Sequence, residues 1–177
     1  KMKDAIEICI GAEDINKNIE TLASVWKALG DQGATRHSLM VNLGGGMVTD
    51  LGGFAASTFK RGISYINIPT TLLAMVDASV GGKTGINFNG LKNEIGVFSP
   101  AEYVLIDTVF LKSLDSANLL SGYAEMLKHG IISTTSHWAE LLHFDRNNMD
   151  YDQLQALVAK SIKIKENIVE QKKKKKG

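Results

Sequence analysis

Residues 38 to 50 read Ser-Leu-Met-Val-Asn-Leu-Gly-Gly-Gly-Met-Val-Thr-Asp, and this stretch is the clearest indication of the architecture. The apolar run at 38–43 is typical of a buried strand, and residues 48–59 carry apolar side chains at helical spacing. Between them, three glycines permit positive φ angles and leave the N–H groups of a helix N-terminus free to face a phosphate. Because the G-x-G-x-x-G fingerprint is missing, a tight turn without a ligand is an equal interpretation at this point.

Strands and helices alternate along roughly the first 110 residues. Strands are predicted at 6–10, 38–43, 63–68 and 103–106, and helices at 20–29, 48–59 and 70–76. This alternation predicts an α/β fold with a mainly parallel sheet, in which ligands lie beyond the carboxyl ends of the strands. After residue 111 only helical patterns follow, at 117–132, 136–144 and 152–169. We therefore predict two domains, 1–112 and 113–177, of which the second is all-helical and truncated.

The composition is that of a globular protein and argues against several classes. Of the 177 residues, 44% are hydrophobic and 22% are charged, and the formal net charge is +1. This balance shows no bias toward nucleic acid or acidic membranes, and we expect neither a membrane span nor a signal peptide. The single cysteine, Cys9, predicts a reducing compartment and is interpreted as a small core residue. We expect a cytoplasmic protein, with the lysine run at 172–176 as a solvated tail.

Two further motifs place hydroxyl and charged side chains beside glycine or proline. Pro69-Thr70-Thr71 closes a predicted strand and opens a helix, where threonine is an ordinary N-cap. Gly81-Gly82-Lys83-Thr84-Gly85 is predicted to be a glycine-rich loop that imitates part of a P-loop. It lacks the G-x-x-x-x-G-K-[ST] spacing, and we reject a nucleoside triphosphatase. Cations inside these and neighbouring motifs could surround one anionic ligand, although each alone is ordinarily a surface residue. They are Arg61, Lys83, Lys92 and Lys128.

Glu125 and Lys128 lie three residues apart and so share one helix face. Their ordinary interpretation is a surface ion pair worth under about 1 kcal/mol, but their small neighbours argue against a wholly exposed face. Asp50 either complements the dipole of the predicted helix or, with the glycines beside it, holds a ribose or substrate hydroxyl, and Asp77 is ordinarily a residue that ends a helix. The histidines have no metal-ligand spacing and are interpreted as ordinary helix or turn residues. They are His37, His129, His137 and His143.

In their order and spacing, these segments resemble 3-dehydroquinate synthase, a sugar-phosphate cyclase family. The resemblance extends from Ala12 to Gln171 and rests on the motifs Gly44-Gly45-Gly46…Asp50, Arg61-Gly62, Pro69-Thr70-Thr71-Leu72-Leu73-Ala74, Asp77, Gly81-Gly82-Lys83-Thr84, Lys92-Asn93 and Gly122-x-x-Glu125-x-x-Lys128. It implies a Rossmann-like N-terminal domain that binds NAD and a helical C-terminal domain that carries a divalent metal, zinc or cobalt. It also implies that the protein forms a homodimer and that its substrate is a small-molecule sugar phosphate.

The resemblance implies a role for each matching residue. The cofactor contacts are Asp14 (or Glu13), Lys17, Gly45, Gly46, Met47, Asp50, Thr70, Thr71, Asp77, Lys83, Lys92, Phe110, Ser113 and Leu114. Among them, Gly45, Gly46 and Met47 follow the NAD pyrophosphate, and Ser113 stands where the family more often has threonine. The substrate-binding or catalytic residues are Arg61, Lys83, Asn93 and Lys128. Arg61 is aimed at the substrate phosphate, in its own or the neighbouring subunit's site, and Glu125 is a metal ligand.

The implied reaction converts 3-deoxy-arabino-heptulosonate 7-phosphate to 3-dehydroquinate and phosphate. NAD takes a hydride from the C5 carbinol, whose hydroxyl group a bound metal acidifies. Phosphate is eliminated, the hydride is returned, and ring opening with an aldol closure completes the reaction. Cations such as Lys83 and Lys128 would stabilise the developing enolate and carboxylate charge.

The metal site is incomplete in this sequence. A catalytic zinc site needs about three protein ligands, and Glu125 is one. The family supplies two histidines from a Gly-His-Thr-x-x-His segment and a later helix, which none of the four histidines here matches. The family's first strand and loop are also unmatched. We therefore expect an inactive fragment of an active enzyme. The alternatives are another sugar-phosphate cyclase, such as 2-deoxy-scyllo-inosose synthase, and a noncatalytic NAD-binding or dimerisation module.

Overall fold

The computed structural model describes residues 4–174, which fold into an α/β unit followed by helices. The strands in this range are β1 (Leu39–Gly44), β2 (Ser64–Pro69), β3 (Lys83–Phe88), β4 (Leu91–Phe98) and β5 (Tyr103–Val104). The α-helices are α1 (Ile19–Asp31), α2 (Gly46–Thr58), α3 (Ser116–Ile132), α4 (Thr135–His143) and α5 (Tyr151–Lys174). Short 3-10 helices span Asp14–Asn16, Phe59–Arg61 and Thr108–Ser113, and a π-helix spans Ala74–Ala78.

Three strands form the predicted parallel sheet, in the order β1-β2-β5. β1 and β2 pair over their full lengths, from Leu39 opposite Ser64 to Gly44 opposite Pro69, so the carboxyl ends of both strands reach the same edge. Helix α2 makes the crossover between β1 and β2, which is the connection that a parallel pair requires. The predicted α/β fold with a mainly parallel sheet is confirmed, although β5 is shorter than the predicted strand at 103–106.

A buried amide pair joins β1 to β2 at the middle of the sheet. Asn42 lies directly opposite Asn67, and its Nδ2 donates to Asn67 Oδ1 at 2.9 Å. Both side chains are buried. Helix α2 crosses close above them, because a Cβ on Gly52 would lie 2.1 Å from Asn42 Oδ1. A buried polar pair that satisfies itself stabilises one register, since a slip of one residue would separate the two amides.

Helix α1 packs against α2 on one side of the sheet. It begins at the N-cap Asn18, whose side-chain oxygen accepts from Thr21 N–H at 2.8 Å. Its inward residues recur at helical spacing and form a core cluster with those of α2 and β3. The buried members of this cluster are Leu22, Val25, Leu29, Leu51, Phe54, Ala55 and Ile86. Each large apolar side chain buried in this way contributes about 1.5–3 kcal/mol.

A second core cluster joins the segment after β2 to the C-terminal helices. It contains Leu72, Met75 and Val76 from that segment, together with Leu111, Tyr123, Met126, Leu141, Phe144, Leu154, Leu157 and Val158. Helix α3 approaches the segment so closely that a Cβ on Gly122 would lie 2.5 Å from the backbone nitrogen of Leu73. The three predicted C-terminal helices are confirmed, and the predicted helix at 70–76 continues as the π-helix to Ala78.

The stretch predicted as a glycine-rich loop opens an antiparallel hairpin instead. Strands β3 and β4 pair from Lys83 opposite Phe98 to Phe88 opposite Leu91. The turn is Asn89-Gly90, with φ angles of 50° and 75°. Asn-Gly is the pair that the two-residue hairpin turn with positive φ at both positions favours. Lys83 therefore begins one strand of this hairpin, and Asn93 lies on the other strand.

Two predictions for the N-terminal segment are wrong. Residues 5–10 form no strand, because none of the strands of the sheet pairs with them. Ile8 and Ile10 instead lie against the cluster of α1 and α2, whereas the alternate side chains face solvent. Cys9 is among those exposed residues and is not the predicted core residue.

The lysine run predicted as a solvated tail begins as helix, because α5 continues through Lys174; residues 175–177, like 1–3, lie outside the described range. None of the helices in the described range is long and apolar enough to cross a membrane.

Candidate functional site

The carboxyl ends of β1 and β2 place the triple glycine beside the Pro-Thr-Thr motif. Thr70 N–H donates to Gly44 C=O at 2.9 Å, and a Cβ on Gly45 would lie 3.0 Å from Thr71 Cγ2. Gly45 is the N-cap of α2 and supplies no side-chain cap, so the first N–H groups of this 13-residue helix keep no side-chain acceptor. We call this turn, formed by Gly44, Gly45 and Gly46 beside Thr70 and Thr71, the glycine cradle. A narrow backbone turn at a helix N-terminus suits a phosphate or pyrophosphate group.

Gly46 and Met47 begin α2 directly after Gly45. A Cβ on Gly46 would lie 3.2 Å from Ala78 Cβ, which brings the end of the π-helix over the start of α2. Met47 is half-buried against the cluster of α1 and α2. The two predicted cofactor motifs, separated by more than 20 residues in the chain, are thus adjacent in the structure.

Lys17 connects two of the predicted site residues. Its Nζ lies 2.5 Å from Asp50 Oδ2 on α2 and 2.5 Å from Asn93 Oδ1 on β4. The Lys17 side chain is only 6% exposed and the Asp50 side chain 20%. Burial raises the pKa of the Asp50 carboxyl, and the Lys17 ammonium opposes this by favouring the charged form. The three residues form one partly desolvated polar group beside the glycine cradle.

A second polar group lies next to the first. Lys92 Nζ is 3.1 Å from Asp14 Oδ2, and Asn87 Nδ2 donates to the same oxygen at 3.2 Å. The hydrogen bond from Lys92 lowers the pKa of Asp14, with Asn87 adding to the effect. Asn87 Oδ1 accepts from Asn93 N–H at 2.9 Å, which supports the positive φ of Asn93. The turn at Asp14 and the hairpin are therefore held together at this end of the fold.

The remaining charged residues meet where the π-helix faces α3 and α5. Asp77 forms an ion pair with Lys165, and Glu125 forms one with Lys128. His129 Nε2 lies 3.4 Å from Glu125 Oε1, and its ring is 1% exposed. Burial lowers the pKa of His129, and the charges of all four other residues reach its ring. Two carboxylates, two ammonium groups and one imidazole thus lie in one neighbourhood.

This neighbourhood contains one candidate metal ligand. The Glu125 carboxylate is largely buried, at 17% exposure, and carboxylate oxygens bind divalent ions such as zinc. Across residues 4–174, no group of three His, Cys, Asp or Glu side chains could hold a metal. His37 and His143 are exposed, and His137 is buried beside Ser161.

Some predicted site residues lie apart from these groups. Arg61 precedes β2 and so lies at the amino edge of the sheet, roughly 20 Å from Pro69 by strand length. It lines a cavity of about 370 Å³ with Thr35, Arg36 and Lys60. Lys83 is exposed at the start of β3 and has no ion pair among the described residues.

The predicted cofactor stretch at 110–114 has mainly packing contacts. Phe110 and Leu114 contact the second core cluster, and Ser113 Oγ donates to Phe110 C=O at 3.2 Å. The contacts described for these three side chains are therefore with the core cluster or within the stretch itself.

Sequence reasoning missed Asn87, His129 and Lys165. For Lys165 a signal existed: Leu154, Val158 and Ser161 are all fully buried at helical spacing on α5, and residue 165 continues their stripe. A lysine on a buried stripe implies a partner, which the structure identifies as Asp77.

Two family models match the whole of this arrangement. The N-terminal model of 3-dehydroquinate synthase matches residues 7–121, and the C-terminal model matches residues 122–177. The chain belongs to the 3-dehydroquinate synthase family. The resemblance seen in the motifs is therefore confirmed. The two models meet within α3, and the predicted domain boundary near residue 112 stays a prediction.

The curated relatives of this family member include the 3-dehydroquinate synthase of Parabacteroides distasonis. It is 59% identical over 166 residues, which are 94% of this chain and 47% of that protein. The chain spans about half the length of the curated relatives that it matches.

Solved structures of related cyclases share the fold. The 2-epi-5-epi-valiolone synthase of Streptomyces hygroscopicus, with NAD+ and Zn2+ bound, is 32% identical with a TM-score of 0.82, over 88% of this chain and 44% of its own. A 2-deoxy-scyllo-inosose synthase complexed with carbaglucose-6-phosphate, NAD+ and Co2+ is 26% identical with a TM-score of 0.81, over 89% and 44%. The Rossmann-like prediction for the first half of the chain is consistent with both.

Proposed function

We propose that the full-length protein is a 3-dehydroquinate synthase, which converts 3-deoxy-arabino-heptulosonate 7-phosphate to 3-dehydroquinate and phosphate. The observation that carries this proposal is the 59% identity to a protein of that name across 94% of the chain. The identity to the solved cyclases of other sugars is much lower, at 32% and 26%.

The glycine cradle is the proposed NAD site. Gly45, Gly46 and Met47 would follow the pyrophosphate. The space at Gly45 is narrow, since an added Cβ would contact Thr71, and the absence of a side chain there leaves the backbone accessible to a phosphate. Asp50 would accept from a ribose hydroxyl, because burial leaves the carboxylate with few competing water molecules. The other cofactor contacts in this proposal are Asp14, Lys17, Thr70, Thr71, Asp77, Lys83, Lys92, Phe110, Ser113 and Leu114. Bound NAD supplies reversible hydride transfer.

Glu125 is the proposed metal ligand in this part of the protein, for zinc or cobalt. A divalent ion supplies a Lewis acid that favours deprotonation of a substrate hydroxyl. Lys128 leaves its pairing with Glu125 in this proposal and turns to the substrate, where its charge stabilises a carboxylate or enolate oxygen. Lys83 and Asn93, on neighbouring strands of the hairpin, hold the substrate from the other side.

A cytoplasmic homodimer is part of the proposal. Arg61 lies at the sheet edge opposite the glycine cradle, too far to reach a ligand there in its own subunit. An arginine that binds the substrate phosphate from this position would have to do so in the neighbouring subunit. The single exposed cysteine agrees with a reducing compartment. We propose no nucleic-acid or membrane partner.

The test is phosphate release by the full-length protein with NAD and zinc. Three substrates are compared: the heptulosonate 7-phosphate, sedoheptulose 7-phosphate and glucose 6-phosphate. Release from the first alone is the expected result. Release only from one of the others would instead identify a cyclase of another sugar, the class to which the solved neighbours belong. No release from any of them, with NAD binding intact, would identify a noncatalytic NAD-binding module.

A further inference from the structure

His129 is a buried histidine without a conventional hydrogen bond. It lies on α3 with 1% of its surface exposed, and neither Nδ1 nor Nε2 has a hydrogen-bond partner among the described residues. A buried polar group left unsatisfied costs about 1–3 kcal/mol. An apolar residue at this position would avoid that cost, since the surrounding positions of α3 already include buried Met126. The histidine therefore needs another explanation.

Its nearest polar neighbour is the proposed metal ligand. His129 Nε2 lies 3.4 Å from Glu125 Oε1, one helical turn away, but the two atoms do not have hydrogen-bond geometry. Because the ring is enclosed, its nitrogen neighbours the carboxylate from inside the protein, whereas Lys128 approaches the same oxygen from a 54% exposed position. The two donors therefore compete for one oxygen while Lys128 remains paired with it.

We propose that His129 is a positioning residue for Glu125, whose Nε2–H holds one carboxylate oxygen so that the other is presented to a divalent metal ion. The inference rests on the proposed function, in which Glu125 binds that ion. When Lys128 releases the carboxylate, a small movement of Glu125 closes the gap to His129. In this proposal His129 acts through Glu125 and is not itself a ligand. Outer contacts of this kind orient metal-binding carboxylates, and their loss typically weakens metal binding by about 10–100-fold.

The experiment measures zinc affinity of the full-length protein by chelator competition, for wild type and four variants. Glu125→Gln tests the ligand itself. His129→Leu removes the donor, and His129→Gln keeps an N–H donor near the same position. His137→Leu is the matched control, since His137 is also buried but faces Ser161 on α5. NAD affinity and far-UV circular dichroism report whether each variant is folded.

The expected result is a loss of zinc affinity in Glu125→Gln and a loss of about 10-fold or more in His129→Leu. His129→Gln should recover most of the affinity, and His137→Leu should bind zinc like wild type. If Glu125→Gln loses zinc but His129→Leu does not, the positioning role is overturned and the proposed function stands. If Glu125→Gln binds zinc like wild type, both the ligand role and the inference built on it fail. Equal losses in His129→Leu and His137→Leu would assign the effect to general destabilisation and overturn the proposal.

Discussion

Replacing Lys17 with methionine should destabilise the protein by about 3 kcal/mol at neutral pH. Lys17 is the sole cation within hydrogen-bond distance of Asp50 among the described residues, at 2.5 Å, and its side chain is 6% exposed. Removing one partner of a buried ion pair costs about 3–5 kcal/mol, because the other charge stays buried without compensation. We expect the lower end of this range because the Asp50 side chain remains 20% exposed to solvent. Methionine keeps the length of the side chain and so avoids a cavity.

The loss should depend on pH in a defined direction. Burial already raises the pKa of Asp50, and without the Lys17 ammonium that pKa rises further. A carboxyl whose pKa is raised by folding loses stability as the pH rises from the ordinary value of 3.8 through the folded value. The difference between wild type and Lys17→Met is therefore largest at neutral pH and shrinks toward pH 3.8. Lys17→Met combined with Asp50→Asn should recover at least about 1 kcal/mol, because the uncompensated charge is gone.

Equilibrium urea denaturation of the full-length protein at several pH values measures these differences. Lys27→Met is the matched control: Lys27 pairs with Asp31 on α1, but the two side chains are 75% and 59% exposed. Its loss should stay below about 0.5 kcal/mol. A loss under about 1 kcal/mol for Lys17→Met, or a loss that does not change with pH, would refute the assignment of a buried, charge-dependent role to Lys17.

Three further predictions follow from single contacts. Gly45→Ala should weaken NAD binding about 10-fold or more in a calorimetric titration, since its Cβ would enter the glycine cradle at 3.0 Å from Thr71 Cγ2. Gly30→Ala is the control, because no atom lies within 4 Å of the Cβ that it would add. It should leave NAD binding unchanged and add up to about 1 kcal/mol to the free energy of unfolding. Gly122→Ala should cost about 1–3 kcal/mol in denaturation experiments, because its Cβ would lie 2.5 Å from backbone; a neutral effect would contradict the close helix contact. Burial lowers the pKa of His137, so stability should fall as the pH drops below 6.5, and His137→Gln should flatten this profile; an unchanged slope would argue against burial as the cause.

Much of the fold could be predicted because local patterns and tertiary structure agree. The run at 38–50 carries strand, turn and helix signals in succession, and the structure has β1, Gly45 and α2 there. The apolar segment at 6–10 has an equally good strand pattern but no neighbouring strand, and strand formation requires one. The hairpin signal Asn89-Gly90 was present in the sequence, but the glycines before it were interpreted as a ligand loop.

The candidate site was only partly predictable because its contacts join distant parts of the chain. The resemblance placed Lys17, Asp50 and Asn93 in the site, but the sequence did not show that Lys17 bonds to the other two, which are 33 and 76 residues away. The pairing of Asp77 with Lys165 spans 88 residues and has no local signature beyond a polar residue on a buried stripe. Which charges meet depends on how α5 packs against the π-helix, and single-sequence periodicity does not specify that packing.

The π-helix at Ala74–Ala78 makes the number of residues, and not only their identity, a constraint on this site. Ser79 N–H donates to Ala74 C=O, five residues back, where an α-helix would use a residue four back. Deleting one residue from the segment would restore an α-helix and rotate everything after it by about 100°. Asp77 would then leave Lys165, and the glycine cradle would lose Ala78 as its cover, although every catalytic residue type would still be present. In this family member a change of chain length that preserves all the motifs would thus be as damaging as the loss of one of them.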